Sequence, residues 1–318
     1  MKNTEVNRRP IFIGGCPRSG TTMLGSMLGS GDHCITTPES LFKQEIPRRL
    51  SVDWSVGINR REFISALTKN FEFKLWEIPL PVDSLPLILT KSDYRNLLFN
   101  LVDSYASTVN RSDWKVWVDH TPRNIIRPLM MLDIFPNARF ISIVRDPRGV
   151  AASIIPLDWG PNTARDVAKL WADRLLAILA LESAFPDKCL RVKYEDLVLN
   201  PQKNLQAICD FSRIEFESSM VLGKGFKLPD YTKEQHKLVG KAPDVTRTDA
   251  WKRELTDQQI YQIERLLGDL LEMMDYTKIG FRPPPQTISQ RVILRAKNEV
   301  GRFFKKRSRL ARMEKYGK

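Results

Sequence analysis

No apolar run in this 318-residue chain approaches the roughly 18 residues needed to cross a bilayer. Residues 1–10 carry no signal-peptide core, so neither a membrane-spanning nor an exported chain is expected. Cysteine is sparse as well. Cys16, Cys34, Cys189 and Cys209 stand far apart and make none of the paired spacings of zinc or dithiol chemistry. No metal is therefore expected, and a reducing, cytoplasmic setting is the default. Internal repeats and low-complexity tracts are absent, which excludes a solenoid or a disordered scaffold. What is present, 42% hydrophobic and 27% charged residues, is the composition of a soluble globular enzyme. The length suits one catalytic domain, residues 1–285, followed by a tail, residues 286–318.

The net charge of +13 is unevenly placed. Residues 291–318 hold eleven Lys or Arg against two Glu, so most of the excess lies there. Arg282-Pro283-Pro284-Pro285 forms a stiff break before it. Ile288, Val292, Ile293, Ala296, Val300, Phe303 and Phe304 then recur at helical spacing, which predicts a basic amphipathic helix. Two readings of that helix stand side by side. Its apolar stripe enters an anionic membrane surface, making the protein peripheral at the inner membrane face, or the stripe docks on its own domain or a partner subunit. Nucleic acid is not expected as a partner, because no nucleic-acid module accompanies the charge.

Ahead of the tail the pattern alternates strands and helices. Strands are predicted at residues 10–14, 33–37, 114–119, 139–144 and 189–194, and helices at 21–29, 124–132 and 163–184. A polar, helical insertion covers 60–70 and 92–109, with Phe71, Phe73 and Trp76 between them. Strands separated by helices imply a mainly parallel sheet covered on both faces, an α/β fold.

The first strand runs into Gly14-Gly15-Cys16-Pro17-Arg18-Ser19-Gly20-Thr21-Thr22. Four residues separate Gly15 from Gly20, as in a nucleotide-binding P-loop, but Thr21 stands where that motif carries lysine. A loop without that lysine suits a shorter anion. Arg18 can supply positive charge from inside the loop, while backbone N–H groups and the hydroxyls of Ser19, Thr21 and Thr22 hold oxygens. In a second constellation, Arg145-Asp146-Pro147 ends an apolar strand and Ser153 follows on the next helix. Asp146 is placed to cap that helix. Arg145 is placed to make a bidentate pair with a phosphate at the carboxyl edge of the sheet, where open α/β folds bind ligands.

Residues 16–24 resemble the 5′-phosphosulfate loop of the sulfotransferase family, especially the branch with protein-tyrosine and many bacterial sulfotransferases. Residues 139–153 resemble that family's 3′-phosphate signature, with a serine eight residues after the arginine of Arg-Asp-Pro. The resemblance implies a P-loop NTPase-like three-layer sandwich. It also implies transfer of a sulfuryl group from 3′-phosphoadenosine 5′-phosphosulfate to a hydroxyl or amine of a carbohydrate, lipid or phenol. Pro17, Arg18, Ser19, Gly20, Thr21, Thr22, Arg145 and Ser153 would bind the donor. Val192-Lys193-Tyr194-Glu195-Asp196-Leu197 is similar to a family segment whose tyrosine contacts the nucleotide, here Tyr194. Residues 236–252 are similar to a late loop that closes on the donor, where Lys241 and Arg247 would clamp the 3′-phosphate.

Two residues compete for the general base. Glu39, in Thr37-Pro38-Glu39-Ser40, falls where the tyrosine branch places its catalytic glutamate, although Pro38-Glu39 is also an ordinary helix opening. His120, in Asp119-His120-Thr121-Pro122, stands where related members usually carry lysine. A histidine there can donate to the leaving oxygen or accept the acceptor's proton. The arginine that the tyrosine branch carries four residues after the helix serine is replaced by Leu157, which argues against peptide tyrosine as the acceptor. Two further functions remain open. A nucleotide kinase would use Asp119, at the end of Val116-Trp117-Val118-Asp119, to hold magnesium, and a catalytically silent membrane-associated binding protein would use only the tail.

Overall fold

The computed structural model describes residues 8–80, 85–285 and 287–316. Residues 1–7, 286 and 318, which enter the expected segment boundaries, lie outside them. Five strands, β1 (Arg9–Gly15), β2 (Cys34–Thr36), β5 (Val116–Asp119), β6 (Arg139–Val144) and β7 (Cys189–Lys193), form one sheet in the order β2-β5-β1-β6-β7. Every pairing within it is parallel. The short strands β3 (Ile58–Asn59) and β4 (Ile88–Leu89) pair antiparallel within the insertion.

Alternation along the strands explains the two covered faces. Phe12, Trp117 and Phe140 point into one core, which the insertion and the helix Ala164–Ala184 complete. Their neighbours Ile11, Ile13, Val116, Val118, Ile141 and Ile143 point into the other, against the helices Thr21–Leu28 and Pro201–Ser212. A strand apolar on both faces is stable only between two helical layers, so the parallel three-layer architecture follows from these residues.

The expected strands and the long helix agree with the structure to within one or two residues. The helix expected at 124–132 is instead two pieces, a 3-10 turn at Pro122–Ile126 and an α-helix at Pro128–Ile134. Pro128 has no N–H to continue the first piece, so the chain starts again there. The insertion's aromatics also divide. Phe73 and Trp76 are buried with Phe42, and only Phe71 reaches a cavity. Among the described residues no helix is long and apolar enough to cross a membrane.

The C-terminal helix, Ile288–Tyr316, forms as its spacing predicts but docks the other way round. Its polar side meets the domain. Arg312 makes a bidentate pair with Asp158 at 2.7 and 3.0 Å, Arg302 bonds Asp166 at 3.0 Å, and Lys305 donates to the Ile155 carbonyl. Val292, Ile293, Val300, Phe303, Phe304 and Leu310 stay exposed. Of the readings left open for the stripe, docking on its own domain is thus corrected.

Candidate functional site

Two cavities open along the carboxyl edge of the sheet, beside the central strand β1 where the chain's path reverses direction across the sheet. The loop after β1 needs its glycines. A side chain at Gly15 would collide with the Ile143 carbonyl of β6, and Gly20, at φ 100°, would press a Cβ to 2.8 Å from the Tyr194 ring. Arg18 itself adopts the left-handed conformation at φ 71°, unusual for a residue with a side chain. That turn sends its guanidinium across to the second motif, where Nε donates to Ser153 Oγ at 3.1 Å.

The first cavity, about 460 Å³, is lined by Arg18, Gly20, Thr21, Thr22, Arg145, Ser153, Tyr194 and Arg247. It gathers residues from 18 to 247 in one basic, hydroxyl-rich space. Arg145 leaves β6 buried under the Tyr194 ring, 4.2 Å from its centre, and donates to the carbonyls of Arg18 and Arg247, each at 2.9 Å. Asp146 caps the helix Pro147–Ile154, as expected. Burial, and then the neighbouring Arg145 cation, lower Arg18 to about 10. An anion bound between these two arginines would relieve their mutual repulsion.

Not every expected binder enters this space. Lys241 is exposed and off the cavity wall, where Lys237 lines it instead. Arg247 lines it but is tied by its guanidinium to Glu254 at 2.8 Å. Pro17 faces the second cavity, and Ser19 is buried beside a small separate void with Cys16 and Trp171.

The second cavity, about 240 Å³, is walled by Phe71, Leu75, Trp159, Phe226 and Tyr231, with Glu39 and His120 at its inner end. Thr22, Gln235 and His236 line both cavities, so the two adjoin. Glu39 lies in the link between β2 and the helix Phe42–Arg49, three residues before that helix begins, so it is not a helix-opening glutamate. Trp76 Nε1 donates to its carbonyl at 3.2 Å and fixes the link. Burial, reinforced by the charges of Asp119 and Glu72, raises the Glu39 carboxyl to about 8, against the pull of Lys43 and Arg18. His120 directly follows β5, is buried, and stacks edge-on with Phe226, ring centres 4.9 Å apart. Burial lowers it to about 4 despite Asp119, so it is neutral at ordinary pH.

Sequence reasoning missed what lies beneath these two residues. Lys43, wholly buried, pairs with the equally buried Asp119 at 2.6 Å and donates to Asn124 Oδ1 at 2.7 Å. Asp119 also accepts from Ser40 and Thr121. Burial alone would raise the Asp119 carboxyl, but Lys43 and these hydroxyls hold it at about 2. Its bonds are committed to this network, which corrects the reading of Asp119 as a magnesium ligand. Replacing Lys43 with methionine would strand the carboxylate and cost about 3–5 kcal/mol of stability, read from the urea midpoint.

A sequence model described as "Sulfotransferase family" matches residues 10–218. Protein-tyrosine sulfotransferase 1 of Danio rerio is 28% identical over 244 residues, 74% of this chain and 58% of that one. Nodulation protein NoeE of Sinorhizobium fredii is 22% identical over 302 residues, 86% of this chain and 67% of that one. The chain thus spans somewhat under two thirds of the length of the first of these relatives. Among solved structures, the sulfotransferase domain from the Synechococcus PCC 7002 olefin synthase superposes with a TM-score of 0.53 at 22% identity, covering 87% of this chain and 98% of that one. With the match running from the phosphate loop through both arginine motifs, the chain belongs to the sulfotransferase family.

Proposed function

We propose that the protein transfers a sulfuryl group from 3′-phosphoadenosine 5′-phosphosulfate to a hydroxyl or amine, releasing adenosine 3′,5′-bisphosphate. The observation that carries this reading is the junction at Thr22 and His236, where a cavity built for phosphates meets one walled by aromatics. Arg18, Gly20, Thr21 and Thr22 would hold the 5′ side of the donor. Arg145, Ser153 and Arg247 would hold the 3′-phosphate, with Tyr194 against the nucleotide. Pro17 and Ser19 would act by shaping the loop, and Lys241 would reach the donor only if its segment moved. No metal is called for, since the arginines supply the positive charge.

Glu39 is the general base in this reading. A new bond forms between the acceptor's oxygen or nitrogen and sulfur, the bond from sulfur to the phosphate oxygen breaks, and the acceptor's proton passes to Glu39. Its raised carboxyl is a far stronger base than an imidazole at about 4. Neutral His120 is the better hydrogen-bond donor to the leaving oxygen, and Arg18 offsets its charge. Below about 8 Glu39 is protonated and cannot accept a proton, so kcat/KM should climb with pH and level off above that value. A limb near 4 instead would pass the base role to His120.

The acceptor is a carbohydrate, lipid or phenol small enough at its reacting end for the aromatic cavity. Tyrosine, named in the Danio rerio relative, is the second reading, and Leu157 speaks against it. Residues 1–285 form the catalytic domain here and residues 286–318 a tail that meets an anionic membrane surface, while nucleic acid is not a partner. All four cysteines are free thiols, which supports a cytoplasmic enzyme peripheral at the inner membrane face.

A further inference from the structure

The C-terminal helix spends its charge inward and its apolar surface outward. Asn298, Arg302, Lys305, Arg309, Arg312 and Tyr316 follow each other at steps of three and four and so share one face. That face carries the contacts with the domain, including Arg312 stacked 4.0 Å from the Tyr231 ring centre. The opposite face presents Val300, Phe303, Phe304 and Leu310, with Phe303 58% and Phe304 62% exposed. A helix that only needed to dock on its own domain would bury those side chains. Two adjacent exposed aromatics, three and four residues after exposed Val300, mark a surface made for another phase.

Charge decides which phase. Arg307 lies on the outward stripe over the Phe303 ring, and with exposed Lys306 and Lys315 beside the stripe it outweighs exposed Glu314, while Glu299 is paired with Arg302. Two copies of the chain meeting across this stripe would set those cations against their own images, whereas an anionic surface would neutralise them. The same helix also reaches the proposed acceptor site. Arg309 lines the aromatic cavity beside Tyr231 and makes no ion pair among the described residues. Being exposed, it stands at the cavity's mouth.

From this we propose that the C-terminal helix lays its outward face on an anionic bilayer and holds the mouth of the acceptor cavity against it. The acceptor would then be a membrane-borne amphiphile whose reacting headgroup enters past Arg309 and Tyr231. The proposal rests on the sulfotransferase reading for the identity of that cavity, but its docking surface can be read without turnover.

The test uses the full chain and vesicles of equal parts phosphatidylcholine and phosphatidylglycerol, with phosphatidylcholine alone as control. The chain should sediment with the mixed vesicles, not with the control, and salt should release it. The double variant Phe303→Ser, Phe304→Ser should weaken this partition by about tenfold or more while leaving affinity for adenosine 3′,5′-bisphosphate unchanged. Hydrogen exchange on the mixed vesicles should slow in residues 299–316 and also in residues 226–235 at the cavity mouth. Failure to partition, or a dimer in light scattering that the double variant abolishes, overturns the docking. Slowing confined to the helix overturns the placement of the mouth. Loss of bisphosphate binding in the unaltered chain would instead remove the sulfotransferase reading, whatever the vesicles show.

Discussion

A Glu39→Gln variant should turn over about a thousandfold more slowly than the unaltered protein while binding adenosine 3′,5′-bisphosphate equally well. Glutamine fills the same space, but it cannot accept a proton. Because Glu39 opens into the aromatic cavity and not into the arginine-lined one, donor binding should lose nothing when it is replaced. The remaining activity should also lose its rise toward about 8, since that step belongs to this carboxyl. A fall of tenfold or less, with the pH dependence intact, would mean that another group takes the proton. Steady-state kinetics across pH, with calorimetry of the bisphosphate alongside, separates these outcomes.

Replacing Arg145 with alanine acts on the other cavity and should weaken bisphosphate binding by about a hundredfold or more. Two effects add. The guanidinium that would face the 3′-phosphate is removed, and so are its bonds to the carbonyls of Arg18 and Arg247, which hold the two ends of the site together. Lysine at this position restores the charge but not the fork, so Arg145→Lys should recover only part of the loss. Unchanged affinity in Arg145→Ala would sink the assignment of this cavity to the donor.

That these two residues would stand at the carboxyl edge of the sheet was legible in the sequence for a local reason. Arg145 sits at the end of an apolar strand and just before a proline-opened helix, and Glu39 sits in the link after a short strand. Both stand at strand ends that neighbours within a few residues mark in the sequence, although Trp76 and the carbonyls of Arg18 and Arg247 then hold them in place. The parallel sheet was legible in the same way, because strands apolar at every position need cover on both faces. What escaped depends on contacts between distant segments. Lys43 reads as one more helix cation until the fold sets Asp119 against it, 76 positions away in the chain. Lys237 and Lys241 are equivalent lysines of one polar segment, and only the turn near Gly240 decides that the first faces the cavity. The C-terminal helix is the clearest case. Its period gave its existence and its stripe, but an apolar stripe carries no sign of which way it will point, and four acceptors on the domain, Asp158, Asn162, Asp166 and the Ile155 carbonyl, turned the charged face inward.

Calorimetric titration of the full chain with adenosine 3′,5′-bisphosphate, set against ATP with Mg²⁺, tests the central claim most directly. The arginine pair, the hydroxyls and the absence of a loop lysine predict tight binding of the bisphosphate without metal and weak binding of ATP. Preference for ATP with Mg²⁺ would contradict the account in favour of a kinase, and binding of neither would leave a silent membrane-associated scaffold.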